Sequence, residues 1–156
     1  MCLYTKQTKP LIAKKDIKVY KVLKAVFDKT NDNIIYYTSA LFYKRFHYGI
    51  NTPNRPENFI EKNTFLDINN GDFFLFGQGI KTKIEGGWLH AFIGKLDAKM
   101  LENFGFINYD DNSCYYKFIC AEMTIPKGAK YFIGIKGDIC SDMLVWNEND
   151  PVVWAK

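Results

Sequence analysis

The stretch 114–135, CYYKFICAEMTIPKGAKYFIGI, constrains the fold of this chain more than any other part of the sequence. It contains two runs rich in β-branched and aromatic residues, which favour β-strands. The runs meet at Pro126 to Gly128, a proline and glycine combination that is typical of a tight turn. The sequence therefore predicts two successive strands joined by this turn, with one acidic residue, Glu122, inside the first strand.

Length and composition are those of a globular protein. A chain of 156 residues, 47% hydrophobic and 24% charged, fits a single domain over 1–156. The aromatic share of 17% has two interpretations, because aromatic rings fill β cores and also stack on bases or sugars. The net charge is +4, basic residues are spread along the chain, and only two are arginine. Specific nucleic-acid recognition is therefore not expected.

Cysteine usage and hydropathy bear on location. The four cysteines form no C-x-x-C pair, and with two histidines they do not give a tetrahedral zinc spacing, so no metal site is predicted. No apolar run approaches the roughly 20 residues that span a bilayer, and the start of the chain has no apolar signal core. These features predict no membrane association and a cytoplasmic location (the host cytoplasm if a phage encodes the chain).

Alternation and turn signals along the chain predict a β-dominated α+β fold, with about eight short strands in a twisted or split sheet and one or two helices. Residues 1–15 are interpreted as a polar lead-in, 51–58 as a loop, and 147–156 as a tail. The predicted strands lie within 16–27, 34–39, 59–66, 73–76, 80–85, 88–93, 114–135 and 139–146, and the clearest helix is 95–104.

Three residues in predicted strands are candidates for a site. Lys21 falls on the more apolar side of its strand, where it either extends along a sheet edge to water or brings a positive charge into a pocket. Glu122 lies either on a solvated sheet face or in a cleft. His90 follows two glycines and is either a structural histidine or a ligand contact. No Ser or Cys stands beside His90, so no nucleophilic dyad is indicated.

The segment 122–131, EMTIPKGAKY, resembles the last active-site strand of ADP-ribosyltransferases. In that family a catalytic glutamate precedes by four residues the proline of a hydrophobic-Pro-basic-Gly turn. The resemblance implies an ADP-ribosyltransferase-like sheet in which Glu122 binds the ribose of NAD and stabilises an oxocarbenium-like transition state. The chain departs from the family's pattern at the first strand, where Tyr20 and Lys21 replace an arginine, and in the middle strand, where only Thr38 and Ser39 match.

A broader resemblance links four segments to small domains of bacteria and their phages that have no known activity. The segments are Val19–Leu23, Gly87–Phe92, Glu122–Gly128 and Ser141–Asp142. This resemblance implies that Tyr20, Lys21, His90 and Glu122 come together in the fold.

Two functional hypotheses follow. The first is a binding protein without a required cofactor, whose aromatic and basic cleft takes a nucleotide-like anion or a protein partner. Its ligand-binding residues would be Tyr20, Lys21, Ser39, Trp88 and His90. The second is a divergent NAD-dependent ADP-ribosyltransferase or NAD glycohydrolase, with NAD as cofactor and Glu122 as the catalytic residue.

Overall fold

The structure, a computed structural model, describes residues 3–39, 48–56, 65–67, 82–84, 88–94, 114–147 and 152–155. Strands dominate these residues and no helix occurs among them, which confirms the predicted β-dominated class. In the same ranges no helix has the length and apolar character that crossing a bilayer requires. The predicted helix at 95–104 and the predicted strand at 73–76 lie outside the described residues.

The described residues form thirteen strands, more than the eight expected, because several of them are only two to four residues long. In chain order they are β1 (Leu3–Thr5), β2 (Leu11–Ile12), β3 (Ile17–Asp28), β4 (Ile34–Ser39), β5 (Pro53–Asn54), β6 (Phe65–Asp67), β7 (Thr82–Ile84), β8 (Leu89–Phe92), β9 (Cys114–Ile125), β10 (Lys130–Ile133), β11 (Asp138–Ser141), β12 (Leu144–Val145) and β13 (Val152–Ala155).

The two longest strands, β3 and β9, pair over their whole length. Their antiparallel register runs through twelve residue pairs, from Ile17 opposite Ile125 to Asp28 opposite Cys114. They form the centre of a ten-stranded sheet with the order β2-β10-β11-β8-β3-β9-β12-β5, in which β4 also pairs with β3 and β13 with β9. A smaller sheet has the order β1-β7-β6.

The edge of β3 that faces away from β9 pairs with two different strands along its length. Near its start β3 pairs with β8, where Tyr20 lies opposite Phe92. From Leu23 onward the same edge pairs with β4, beginning with Leu23 opposite Ser39. The outer edge of β9 is divided in the same way between β13 and β12. The large sheet is therefore split at both edges of one continuous two-stranded ribbon.

Two hydrophobic clusters stabilise this arrangement. The larger one packs on one side of the β3–β9 ribbon, where Val19, Leu23 and Met123 are fully buried. The smaller cluster joins the two sheets, since it contains side chains from both of them: Leu3, Ile84, Trp88, Phe132 and Cys140. Apolar burial on this scale is the main favourable term in folding.

Two segments differ from the sequence interpretation. The polar lead-in contributes strands β1 and β2, and Leu3 and Thr5 are fully buried although their neighbours are polar. Alternation explains the difference, because a strand buries every second residue whatever its overall composition. The loop at 51–58 contains the two-residue strand β5, in which Pro53 is tolerated at the edge of the sheet.

The predicted turn between β9 and β10 is confirmed. Ala129 N–H donates to the Pro126 carbonyl at 3.0 Å, and Gly128 has a φ of +91°. Asp16 holds the turn from outside, since its Oδ1 accepts a hydrogen bond from Lys127 N–H at 2.9 Å. This conformation favours glycine, because a Cβ at a positive φ meets the backbone.

We expect Gly128→Ala to lower the free energy of unfolding by about 1–2 kcal/mol, since the left-handed region is strained for alanine. A Cβ added at Gly128 would have no other atom within 4 Å, so backbone strain alone produces the loss. Gly94→Ala is the matched control, because Gly94 has equal space and no positive φ. Urea unfolding of both variants measures the effect, and equal stabilities would contradict it.

Candidate functional site

The register of β3 and β9 divides the predicted site residues between two faces of the sheet. Directly paired residues in an antiparallel ladder project to the same side. Tyr20 is opposite Glu122, and Lys18 is opposite Thr124, so these four side chains share one face. We call it the Glu122 face. The other side, which carries Val19 and the larger cluster, is called the core face.

Glu122 is sheltered from water on its face. Its carboxylate Oε1 lies 2.8 Å from the Nζ of Lys18, and its side chain is 13% exposed while that of Lys18 is 66% exposed. An ion pair with one largely exposed partner contributes up to about 1 kcal/mol. Tyr20, which is half-buried, lies directly opposite Glu122 on the neighbouring strand β3. Glu122 therefore has a charge partner and an aromatic neighbour in place.

His90 projects from β8 toward the same face. It lies two residues from Phe92, which pairs with Tyr20, and opposite Cys140 of β11. Both ring nitrogens of His90 are buried, and neither has a hydrogen-bond partner among the described residues. Desolvation, followed by the charge of Lys21, lowers the pKa of His90 to about 3.

A neutral imidazole has one N–H donor and one acceptor nitrogen. Because its pKa is so low, His90 is neutral at physiological pH and presents one of each. Leaving a buried donor or acceptor unpaired costs about 1–3 kcal/mol per group. Among the described residues nothing fills this hydrogen-bonding capacity of the His90 ring.

Lys21 lies on the core face and is buried. Its Nζ donates to the backbone carbonyl of His90 and lies 5.3 Å from the ring centroid of Tyr48. This position is the junction at which β3 leaves β8 and begins to pair with β4. Burial lowers the pKa of Lys21 to about 8. The lysine neither extends to water nor lines a surface cleft with Glu122.

The remaining two candidates are Ser39 and Trp88. Ser39 is opposite Leu23 and therefore projects to the core face. Trp88 is buried in the smaller cluster, where its ring packs edge-on against Phe132 with the centroids 5.0 Å apart. Of the six predicted site residues, Tyr20, His90 and Glu122 project to the Glu122 face, whereas Lys21 and Ser39 project to the core face. Lys21 nevertheless contacts the backbone of His90, and Trp88 belongs to the cluster whose Cys140 lies opposite His90.

Sequence reasoning missed Lys18 and Phe92 as members of this site. Alternation along β3 already places Lys18 on the same side as Tyr20. Its contact with Glu122 depends on the pairing of strands about a hundred residues apart, which no local pattern reveals. Phe92 joins through the single bridge between β3 and β8.

The chemistry available at the Glu122 face is hydrogen bonding, charge and aromatic contact. Within the described ranges no group of three or more His, Cys, Asp or Glu residues could hold a metal ion. Cys120 lies on this face opposite Val22 and is a buried cysteine outside any disulfide. Cys140 is a second buried thiol, and desolvation raises its pKa well above the usual range.

Comparisons with protein-family models, with curated proteins and with solved structures gave no significant match. Function is therefore inferred from the geometry of the Glu122 face.

The buried lysine predicts a pH-dependent stability. Between about 8 and 10.5 the unfolded chain binds more protons at Lys21 than the folded chain does, so stability rises with pH through this window. Across this window the free energy of unfolding should rise by about 3 kcal/mol, which corresponds to the difference between the pKa of Lys21 in the unfolded and in the folded chain. We expect Lys21→Met to lack this rise.

Urea unfolding at several pH values across the window measures the slope for each protein. Lys29→Met is the control, because Lys29 is exposed in the β3–β4 turn and its removal should leave the rise intact. The same pH slope in wild type and Lys21→Met would contradict the role assigned to Lys21. All three proteins keep every tyrosine, so tyrosine titration cancels in the comparison.

Proposed function

We propose that the protein binds a small nucleotide-like molecule on the Glu122 face, around Tyr20, His90 and Glu122. The observation that carries this proposal is the pair of buried ring nitrogens of His90, for which the described part of the chain provides no hydrogen-bond partner. A nucleobase edge presents both donors and acceptors, and a neutral imidazole complements either. The cytoplasmic location remains a prediction from the sequence.

Each neighbouring side chain has a role that its chemistry suits. The half-buried ring of Tyr20 offers a surface for stacking, which is sequence-tolerant because every base has a π-face. The carboxylate of Glu122 accepts hydrogen bonds from a ribose hydroxyl or an exocyclic amine. The ammonium of Lys18, which is exposed while it pairs with Glu122, would also contact a phosphate of the ligand. Lys18, rather than the buried Lys21, would therefore provide the positive charge for the ligand.

His90→Phe provides a test with two opposite expected signs. Without ligand the variant should be more stable than wild type by about 1–3 kcal/mol, because two unpaired buried polar atoms are removed. With a nucleotide panel, wild type should gain thermal stability by mass action while the variant gains none.

Lys18→Gln tests the contact with the phosphate. It should weaken the binding of phosphorylated ligands more than that of nucleosides, and Lys29→Gln is its control.

Differential scanning fluorimetry with nucleosides, nucleotides and dinucleotides measures these shifts. Equal stabilisation of wild type and His90→Phe by a nucleotide would contradict the proposed site. If no member of the panel stabilises wild type, the nucleotide-like class is wrong and a protein partner becomes the favoured ligand.

The second candidate function is NAD-dependent ADP-ribosyl transfer or NAD hydrolysis by Glu122. It is favoured by the sheltered carboxylate, which stands on β9 four residues before a turn with a positive-φ glycine. In this reaction a carboxylate stabilises the positive charge that develops on the ribose as nicotinamide leaves. The missing first-strand arginine leaves Tyr20 and Lys18 as the neighbours on this face.

Incubation with labelled NAD tests this second function. If it holds, wild type should release nicotinamide or transfer label, and Glu122→Gln should lose roughly a hundredfold or more of that rate. Lys18→Gln is the companion variant, because it frees the carboxylate without removing it and should keep measurable turnover. No turnover by wild type at high enzyme concentration would exclude this function.

A further inference from the structure

Two segments that meet at the β2 edge of the large sheet together have the same net charge as the whole chain. Residues 3–16 and 126–142 lie beside each other because β2 pairs with β10. These two segments contain seven lysines and three aspartates, a balance of +4 that equals the net charge of the whole chain. The lysines are Lys6, Lys9, Lys14, Lys15, Lys127, Lys130 and Lys136.

The three aspartates, already subtracted in this balance, are tied to the fold. Asp138 is buried. Asp16 and Asp142 each accept a backbone hydrogen bond, from Lys127 N–H and Lys130 N–H respectively, both at 2.9 Å. All the lysines except Lys130 are exposed. The edge therefore attracts anionic partners.

Strand β2 itself is an open edge with two exposed aliphatic side chains. Within the described residues it pairs only with β10, and Leu11 is 45% and Ile12 62% exposed. Ala13 directs both its backbone groups toward β10, since its N–H donates to Ala129 and its carbonyl accepts from Gly128, each at 2.8 Å. Because these directions alternate along a strand, the N–H and carbonyl of Ile12 face outward.

Lysines on an edge strand ordinarily prevent it from pairing with other chains. Here the outward backbone groups are flanked by Leu11 and Ile12, and Ile133 of β10 adds a third exposed aliphatic side chain on the side of Leu11. Such side chains promote pairing rather than prevent it. The combination is typical of a sheet edge that accepts an added strand.

We propose that the β2 edge docks an extended acidic segment of another protein, which adds to the sheet as a further strand. Its backbone would pair with Ile12, its aliphatic residues would cover Leu11 and Ile133 on one face of the sheet, and its carboxylates would lie near the exposed lysines Lys9, Lys14 and Lys15. A lipid surface would leave the backbone groups of Ile12 unpaired, which is costly away from water. A nucleic acid would find no arginine in either segment of this edge.

This surface is independent of the proposed ligand site, because three strands, β10, β11 and β8, separate β2 from β3. Failure of one proposal therefore leaves the other standing.

The test uses a labelled peptide of about ten residues in which valine and glutamate alternate, long enough to form one strand. We expect fluorescence polarisation to show binding that weakens steeply with salt, since exposed charges are screened. Ile12→Pro removes the outward N–H without breaking a bond to β10. Both it and the double variant Lys14→Glu, Lys15→Glu should lose at least about tenfold in affinity. Lys29→Glu, a charge reversal in the distant β3–β4 turn, should lose less than about twofold.

Amide hydrogen exchange distinguishes strand pairing from charge attraction, because charge attraction alone does not protect the Ile12 N–H from exchange. The Ile12 N–H should exchange quickly in the free protein and become protected when the peptide binds. Circular dichroism checks that Ile12→Pro folds, and the lysine double variant tests the proposal if it does not. An unprotected Ile12 N–H in the bound state would overturn the proposal. The proposal would also be overturned if the protein bound anionic vesicles or RNA but not the peptide, and if the double variant Lys14→Glu, Lys15→Glu lost that binding.

Discussion

The structure depends on the twelve-pair antiparallel register between β3 and β9. This ladder determines which side chains share a face, and every other strand of the large sheet attaches to one of its two edges directly or through a neighbour. A slip of one residue would turn all the side chains of one strand to the other face. It would bring Lys21 to the Glu122 face and bury Tyr20 against Met123. Full burial of Val19 and Met123 as a pair opposes such a slip.

The exchange of β8 for β4 along β3 explains the placement of Lys21. At this junction the carbonyl of His90 needs a donor, and the lysine provides one from the core face. The charge of Lys21 also lowers the pKa of His90, after the larger effect of desolvation. A buried residue on one face thereby helps to keep the imidazole on the other face neutral.

Local patterns were sufficient for the strands at 16–27, 34–39 and 114–125 and for the turn at 126–128, because alternation and turn chemistry are properties of neighbouring residues. They were not sufficient for β2 and β5, whose two-residue pairings depend on distant partners. Tyr20 and Lys21 project to opposite faces of β3, because adjacent residues of a strand alternate, yet Lys21 still contacts the backbone of His90. The pairing of Lys18 with Glu122 required a register that only the folded chain establishes.

The two proposed surfaces differ in their electrostatics, and this difference indicates different kinds of recognition. On the Glu122 face Lys18 is matched by a carboxylate and His90 is neutral, so selectivity there comes from hydrogen-bond geometry and aromatic contact. At the β2 edge lysines outnumber aspartates by seven to three, although basic and acidic residues are scattered along the sequence. Unbalanced charge accelerates encounter more than it discriminates between partners. Selectivity at that edge must therefore come from the outward backbone groups of Ile12, which accept only an extended strand.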